Sequence, residues 1–173
     1  MADVTSALVG FHAGTGRDDR GRTLVDILAW DDDRLERVHD YIQWLFPLPE
    51  RSAFNPAAPA LGDADIAAFR TRADLRAALR RAFLRLLAFY GFEEQRETII
   101  PAPGFPAQSR NWLTPGNHNL LRISRILRSL TLLGLGPEAL AFLAALETLP
   151  EDRRATIGPV TFGYWRRAVA PDA

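Results

Sequence analysis

The sequence contains no lysine and no cysteine, and its 21 basic residues are all arginine. The lack of lysine excludes Schiff-base catalysis, a lysine general base and the lysine of phosphate-binding loops. The lack of cysteine excludes thiol catalysis, disulfide bonds and cysteine-ligated zinc. It is also typical of a reducing compartment, so we predict a cytoplasmic protein. The arginine-only composition, rich in alanine, leucine and proline, indicates a bacterial genome of high GC content.

Neither sign of charge is in excess, because 21 acidic residues balance the 21 arginines. No long-range field favours anionic lipid or nucleic acid, and we do not expect nucleic acid as the main partner. No apolar run approaches the ~18 residues of a transmembrane segment. The first residues also lack the basic and apolar regions of a signal peptide. The chain has 173 residues, 47% of them apolar and 24% charged, so we expect one soluble domain with a sizeable core.

The start of the chain is rich in glycine, with Gly10, Gly14, Gly16 and Gly21. Because glycine interrupts regular patterns, residues 1–20 are predicted to form a partly ordered N-terminal segment. The remaining residues, 21–173, are predicted to form one helical domain.

Helical periodicity and helix end signals recur through this domain. They predict helices over residues 22–30, 33–46, 72–90, 117–133, 136–149 and 162–169, and a short helix that begins at Asp63. Residues 47–62 are predicted to be a proline-rich loop, and residues 92–116 an irregular segment with a brief extended piece at 98–100. The predicted fold is therefore all-α: a single irregular multi-helix domain with long proline-rich loops and little or no sheet.

The first informative segment is HDYIQWLFPLPE, at residues 39–50. On a wheel of about 100° per residue, Trp44 falls roughly opposite the apolar side that begins at Leu35. The helix is either buried on most sides, or it presents Trp44 beside a pocket lined by His39, Asp40 and Gln43.

The second informative segment is NHNLLRISRILRSLTLLGL, at residues 117–135. Arg122, Arg125 and Arg128 step by three and form a basic stripe, which is most often a solvated helix face. The leucines among them favour a packed face instead, with the arginines bound to acidic side chains or to a ligand. Arginine suits bidentate recognition of carboxylate or phosphate, and a helix N-terminus beginning at Asn117 adds free N–H groups.

These two strings resemble the signature segments of the conserved N-terminal domain of the opioid growth factor receptor family. The run LAFYG at 87–91 and the loop at 55–59, with Asn55-Pro56 and Ala58-Pro59, resemble the same family, in the same order. The similarity extends over roughly residues 20–170. It implies an all-helical domain and a receptor-like, peptide-binding function, since the animal family is named for binding the pentapeptide met-enkephalin.

Two other classes of function are open alternatives. All-α metal-dependent phosphohydrolases bind their metal ion with an adjacent His-Asp pair, an upstream histidine and a downstream aspartate. The pair His39-Asp40, with His12 upstream and three aspartates downstream, provides these residue types. The downstream aspartates are Asp63, Asp65 and Asp74. The basic stripe, with Arg81, Arg85 and Trp112, could instead bind a protein or nucleic acid. The chain contains no GxSxG, HExxH, glycine-rich dinucleotide or phosphate-loop motif.

We therefore predict a non-enzymatic helical binding module, with no cofactor, no metal and no catalytic residue. Its expected ligand is a short peptide or a small carboxylate- or phosphate-bearing molecule, and a protein partner is possible. Aromatic rings would supply apolar surface, amides would supply hydrogen bonds, and Arg122 and Arg125 would hold the anion. The predicted ligand-binding residues are His39, Asp40, Tyr41, Gln43, Trp44, Asn117, His118, Asn119, Arg122 and Arg125.

Overall fold

The computed structural model describes residues 6–170. Within them the chain is mostly α-helical, with eleven helices and one two-stranded sheet, so the predicted fold class is confirmed. The chain divides into two compact units, and the division falls between Ala82 and Phe83.

The first unit contains five helices and most of a sixth. They are α1 (Ala7–His12), α2 (Leu24–Leu28), α3 (Asp32–Arg37), α4 (Ile42–Leu45), α5 (Asp63–Thr71) and α6 (Ala73–Phe89). Short polar side chains begin three of them, because the first N–H groups of a helix need acceptors. Ser6 accepts from the Val9 N–H, Thr23 forms a capping box with Asp26, and Asp31 accepts from the Arg34 N–H.

The second unit begins with a hairpin and continues with helices. Its elements are β1 (Phe92–Gln95), β2 (Thr98–Pro101), α7 (Phe105–Gln108), a 3-10 turn (Ser109–Asn111), α8 (His118–Leu132), α9 (Gly136–Glu147), α10 (Glu151–Ile157) and α11 (Pro159–Ala168). The strands pair antiparallel, with Phe92 opposite Pro101, which confirms the extended piece predicted at 98–100. The turn uses positive φ angles at Arg96 and Glu97.

An aromatic cluster forms the core of the second unit around Phe142. Its ring lies 5.7 Å from the rings of Phe83 and Phe92 and 6.3 Å from that of Tyr90. Aromatic rings bury large apolar areas and prefer such edge-to-face or offset contacts. The hairpin and α9 are thereby packed against the end of α6.

The predicted continuous helix over residues 33–46 is wrong. Helix α3 begins at Asp32, with Asp31 as its cap, and ends at Arg37; Val38 is extended (ψ 133°). The Leu35 carbonyl accepts the Tyr41 hydroxyl at 2.9 Å, and the Asp40 carbonyl accepts the Asn55 side-chain amide at 3.0 Å. Side-chain donors therefore satisfy carbonyls that a continuous helix would pair with its own backbone.

The described part of the N-terminal segment, residues 6–20, is more regular than predicted from its glycines; residues 1–5 of that prediction lie outside the described residues. Helix α1 buries Leu8, Phe11 and His12. A Cβ atom on Gly16 would lie 2.9 Å from the carbonyl carbon of Gly10. This glycine therefore lets the chain turn back closely against α1.

Gly91 ends α6, as the sequence predicts, and its replacement tests how much the turn depends on glycine. Its φ is +88°, and a Cβ atom there would lie 2.9 Å from the Phe105 Cα. We expect Gly91→Ala to lower the free energy of unfolding by about 1–3 kcal/mol. Gly136→Ala is the matched control, since nothing lies within 4 Å of a Cβ there. Equal unfolding midpoints of the two variants in urea would contradict this account.

Candidate functional site

The aromatic side chains of the first signature segment are buried in the first unit. Tyr41 is 0% exposed and Trp44 is 4% exposed. The Trp44 indole donates to Asp19 Oδ1 at 2.7 Å, and its ring lies 5.5 Å from that of Phe11. The wheel that placed Trp44 on an open side assumed a continuous helix, which the chain does not form. Both rings are therefore buried, which agrees with the first of the two alternatives, a segment buried on most sides.

A polar network surrounds Asp40 on the same segment. Arg20 Nε lies 3.2 Å from Asp40 Oδ2, and Arg22 Nη1 lies 2.9 Å from Asp40 Oδ1. Arg22 Nε also lies 2.6 Å from Asp18 Oδ2, and the Asp18 side chain is fully buried. Burial alone would lower the pKa of Arg22, but its bonds to Asp18 and Asp40 outweigh burial and raise that pKa. The network holds the chain around residue 20 to the signature segment.

Aromatic and cationic groups continue this network at Trp30. The Arg34 guanidinium lies 4.2 Å from the Trp30 ring centroid, and that of Arg22 lies 5.3 Å from it. The Tyr41 ring meets the Trp30 ring edge to face at 5.5 Å. Cation–π contacts of this kind stabilise a partly buried guanidinium.

The loop after the signature segment is tied back to it through amides. Gln43 Nε2 donates to Ser52 Oγ at 3.3 Å, and Ser52 Oγ also accepts from the backbone N–H of Asn55 at 3.3 Å. Phe54, between them, is 82% exposed. Within residues 6–170, the buried Gln43 Oε1 has no hydrogen-bond partner.

His12 is buried, although the phosphohydrolase alternative required it as a metal ligand. Its Nε2 lies 3.0 Å from the Trp44 carbonyl oxygen. Burial, only partly offset by this hydrogen bond, lowers the pKa of His12 to about 4. Among the described residues, no three His, Asp or Glu side chains form a group that could hold a metal ion. Asp40 forms ion pairs with Arg20 and Arg22, so the pair His39-Asp40 is part of a structural ion-pair network.

The first turn of α8 carries the predicted residues of the second unit. Asn117 caps the helix, as predicted: its Oδ1 accepts from the Asn119 N–H at 2.9 Å. Its Nδ2 donates to the Asn111 carbonyl at 3.1 Å and to Thr114 Oγ1 at 3.0 Å. His118 is exposed, whereas Asn119 is fully buried. The cap therefore joins α8 to the preceding turn.

The three arginines of α8 differ in their surroundings. Arg122 is only 6% exposed, and its Nη1 donates to Asn119 Oδ1 at 3.3 Å. Arg125 and Arg128 are half-buried. The arginines are three residues apart, so each side chain is rotated by about 60° around the helix axis relative to the previous one. The three arginines therefore do not share one face of the helix. Leu121, beside Arg122 in sequence, is 63% exposed.

The ten predicted site residues fall evenly into the two units. His39 to Trp44 lie together in the first unit, and Asn117 to Arg125 lie together in the second. Their ligand-binding role stays a prediction. The network residues that the prediction missed are Asp18, Asp19, Arg20, Arg22, Ser52 and Asn55. The one available signal was the spacing of four between Asp18 and Arg22, which is typical of an ion pair.

Comparison with known proteins bears on these segments directly. The model of the opioid growth factor receptor conserved region matches residues 22–170. This range contains both signature segments, the Asp40 network from Arg22 onward, and all of α8. The chain belongs to the opioid growth factor receptor family. Helix α1 lies before the matched range.

Individual relatives agree with this assignment. The chain is 39% identical to the opioid growth factor receptor of Rattus norvegicus over 159 residues, covering 86% of this chain and 27% of the rat protein. It is 38% identical to that of Mus musculus over 159 residues, covering 86% and 24%. It is 41% identical to that of Homo sapiens over 123 residues, covering 66% and 18%. The chain thus spans between about a fifth and a quarter of the length of these relatives.

No solved structure matches the chain. None of the helices in residues 6–170 has the length and apolar character needed to cross a membrane.

Proposed function

We propose that this member of the opioid growth factor receptor family is a helical binding module that takes a short peptide or a small anionic ligand and catalyses no reaction. The observation that carries the proposal is the buried Arg122 at the start of α8, held by the fully buried Asn119. The names of the relatives describe receptors of a growth factor, which supports binding as the activity. We also propose a cytoplasmic location in a bacterium, on the strength of the composition.

The start of α8 has the chemistry that an anion requires. A helix N-terminus carries a partial positive charge, and a guanidinium adds planar donors that match a carboxylate or phosphate. Arg122 loses little conformational freedom on binding because Asn119 already fixes it. The exposed Leu121 provides an apolar contact for a neighbouring side chain of a peptide. A peptide with a free C-terminal carboxylate suits this arrangement.

Substitution of Arg122 tests the proposal. We expect Arg122→Ala and Arg122→Lys to weaken binding of five-residue peptides with a free carboxylate by about tenfold or more, since a charge-assisted hydrogen bond contributes ~1.5–3 kcal/mol. Arg153→Ala, on α10, is the control and should bind as the unchanged chain does. Calorimetric titration with carboxylate and amidated peptide panels measures the difference, and circular dichroism checks that each variant is folded. Equal affinities in all three variants would contradict the proposal. So would equal affinities for peptides with a free C-terminal carboxylate and for amidated peptides.

A further inference from the structure

Helix α1 fills an apolar groove of the family domain, although it lies outside the part of the chain that defines the family. The family match begins at residue 22, whereas α1 ends at His12. The surface under α1 is formed by α4 and α5, both inside the matched range. The Phe11 ring lies 5.5 Å from the Trp44 ring, and the His12 ring lies 4.9 Å from the Phe69 ring. Leu8 is 1% exposed and Phe11 is 0% exposed.

The groove also has one polar requirement, at the end of α4. Carbonyl groups in the last turn of a helix have no partner within that helix. The Trp44 carbonyl is one of them, and His12 Nε2 donates to it at 3.0 Å. An occupant of this groove must therefore supply two apolar anchors three residues apart and a donor next to the second anchor. Leu8, Phe11 and His12 supply these.

Several features make α1 a weakly held occupant. A helix of six residues is not stable by itself, so α1 depends on the groove for its structure. Its donor His12 keeps Nδ1 buried without a partner among the described residues, which weakens the contact. The connection to the rest of the first unit runs through Gly14, with φ +79°, and Gly16. The next firm attachment is the Asp18–Arg22 pair, at 2.6 Å.

We infer that the α4–α5 groove is a docking site for a short apolar helical peptide, and that α1 occupies it within the chain as a displaceable substitute. The partner presents a large aliphatic residue, an aromatic residue three positions later and a neutral N–H donor after it. The groove is made of residues of the first unit and Arg122 belongs to the second, so substitution of Arg122 changes no groove residue. Because α1 is tethered beside the groove, its effective concentration is high, and a free peptide binds well only after α1 is loosened.

Hydrogen exchange of the unchanged chain tests the displacement. The amides of Gly10 and Ala13 donate to the carbonyls of Ser6 and Val9 at 2.9 Å. We expect them to exchange through local opening, at least about 100-fold faster than the amides in the middle of α6 after correction for intrinsic rates. Equal protection in α1 and α6 would show that α1 opens only with the whole unit, and would overturn the inference.

A peptide titration tests the groove itself. The probe is a fluorescent peptide with the sequence of residues 6–13, SALVGFHA, capped at both ends. In Gly16→Ala, the new Cβ atom meets the backbone of Gly10 at 2.9 Å and loosens α1, whereas Gly136→Ala meets nothing within 4 Å. We expect Gly16→Ala to bind the probe at least about tenfold more tightly than Gly136→Ala and the unchanged chain. The same probe with serine in place of Phe11 should not bind.

A second variant covers the case in which Gly16→Ala fails to fold. Phe11→Ala removes an anchor of α1 without touching the groove, and it should also bind the unaltered probe. Absence of binding to a folded variant of either kind would refute the groove as a peptide site. Formation of a dimer at rising concentration, with loss of probe binding, would show that α1 of a second copy is the occupant and would overturn the assignment to a peptide partner.

Discussion

Replacement of Arg22 by alanine is expected to lower the free energy of unfolding by about 3–5 kcal/mol, the usual cost of leaving a buried charge without its partner. Asp18, 2.6 Å from Arg22 Nε, has a fully buried side chain. Asp40 loses the second guanidinium contact, at 2.9 Å. Arg22 also lies over the Trp30 ring. The loss should appear as a lower midpoint of urea unfolding, which can be measured by tryptophan fluorescence.

The matched control is Arg72→Ala, which breaks an ion pair of almost the same length. Arg72 Nη2 lies 2.7 Å from Asp74 Oδ2, but the two side chains are 44% and 58% exposed. Water screens an exposed pair, so we expect Arg72→Ala to shift the urea midpoint far less than Arg22→Ala does. The double replacement of Asp18 and Arg22 by asparagine and methionine should recover part of the Arg22→Ala loss, because no charge is then left buried. Equal losses in the two single variants would show that burial of Asp18 does not govern the effect.

Much of the second unit could be predicted from local signals. Helix α8 has Asn117 as its cap and Gly134, with φ +91°, just after its end. Both signals act within a few residues of the helix, so the sequence alone is enough. The same holds for the end of α6 at Gly91. Helix α10 was missed, since it has seven residues and no long apolar pattern.

The first unit could not be predicted as well, because distant side chains decide its backbone. The break between α3 and α4 depends on Asn55, which donates to the Asp40 carbonyl from fifteen residues away. No periodicity in residues 33–46 contains that information. The helical wheel for Trp44 relied on that continuous helix, so it could not decide between the two alternatives; the ring is buried.

In the candidate site too, features set by nearby residues could be predicted and features set by distant residues could not. The cap at Asn117 was predictable, and the leucines among the arginines favoured a packed face, but the sequence did not show that Arg122 is the buried arginine. On the helical wheel, Arg122 lies only about 40° from the buried Ile126, at the edge of the apolar side. Whether such an edge position is buried depends on the neighbouring elements. Here the buried Asn119 is one such neighbour, and its Oδ1 accepts a hydrogen bond from Arg122 Nη1 at 3.3 Å.

Acid is expected to destabilise the first unit through His12. The pKa of His12 is about 4 in the folded chain, against 6.5 for an ordinary histidine, because burial disfavours the charged ring. Between these values the unfolded chain binds more protons, so the free energy of unfolding falls as the pH is lowered from 6.5 to 4. The difference in pKa corresponds to a loss of about 3 kcal/mol over that range. Well above pH 6.5, where His12 is neutral in both the folded and the unfolded chain, its contribution is constant.

The other two histidines provide the controls for this prediction. His39 and His118 are exposed, so His39→Gln and His118→Gln should keep the full decline in urea midpoint between pH 6.5 and 4. His12→Gln cannot take up a proton, yet its side-chain amide can still donate to the Trp44 carbonyl, so its decline should be smaller by most of the ~3 kcal/mol. Since protonated His12 cannot stay in the groove, the amides of α1 should lose protection before those of α6 as the pH falls. An unchanged slope in His12→Gln would show that carboxylates, rather than this buried imidazole, set the acid limit of the fold.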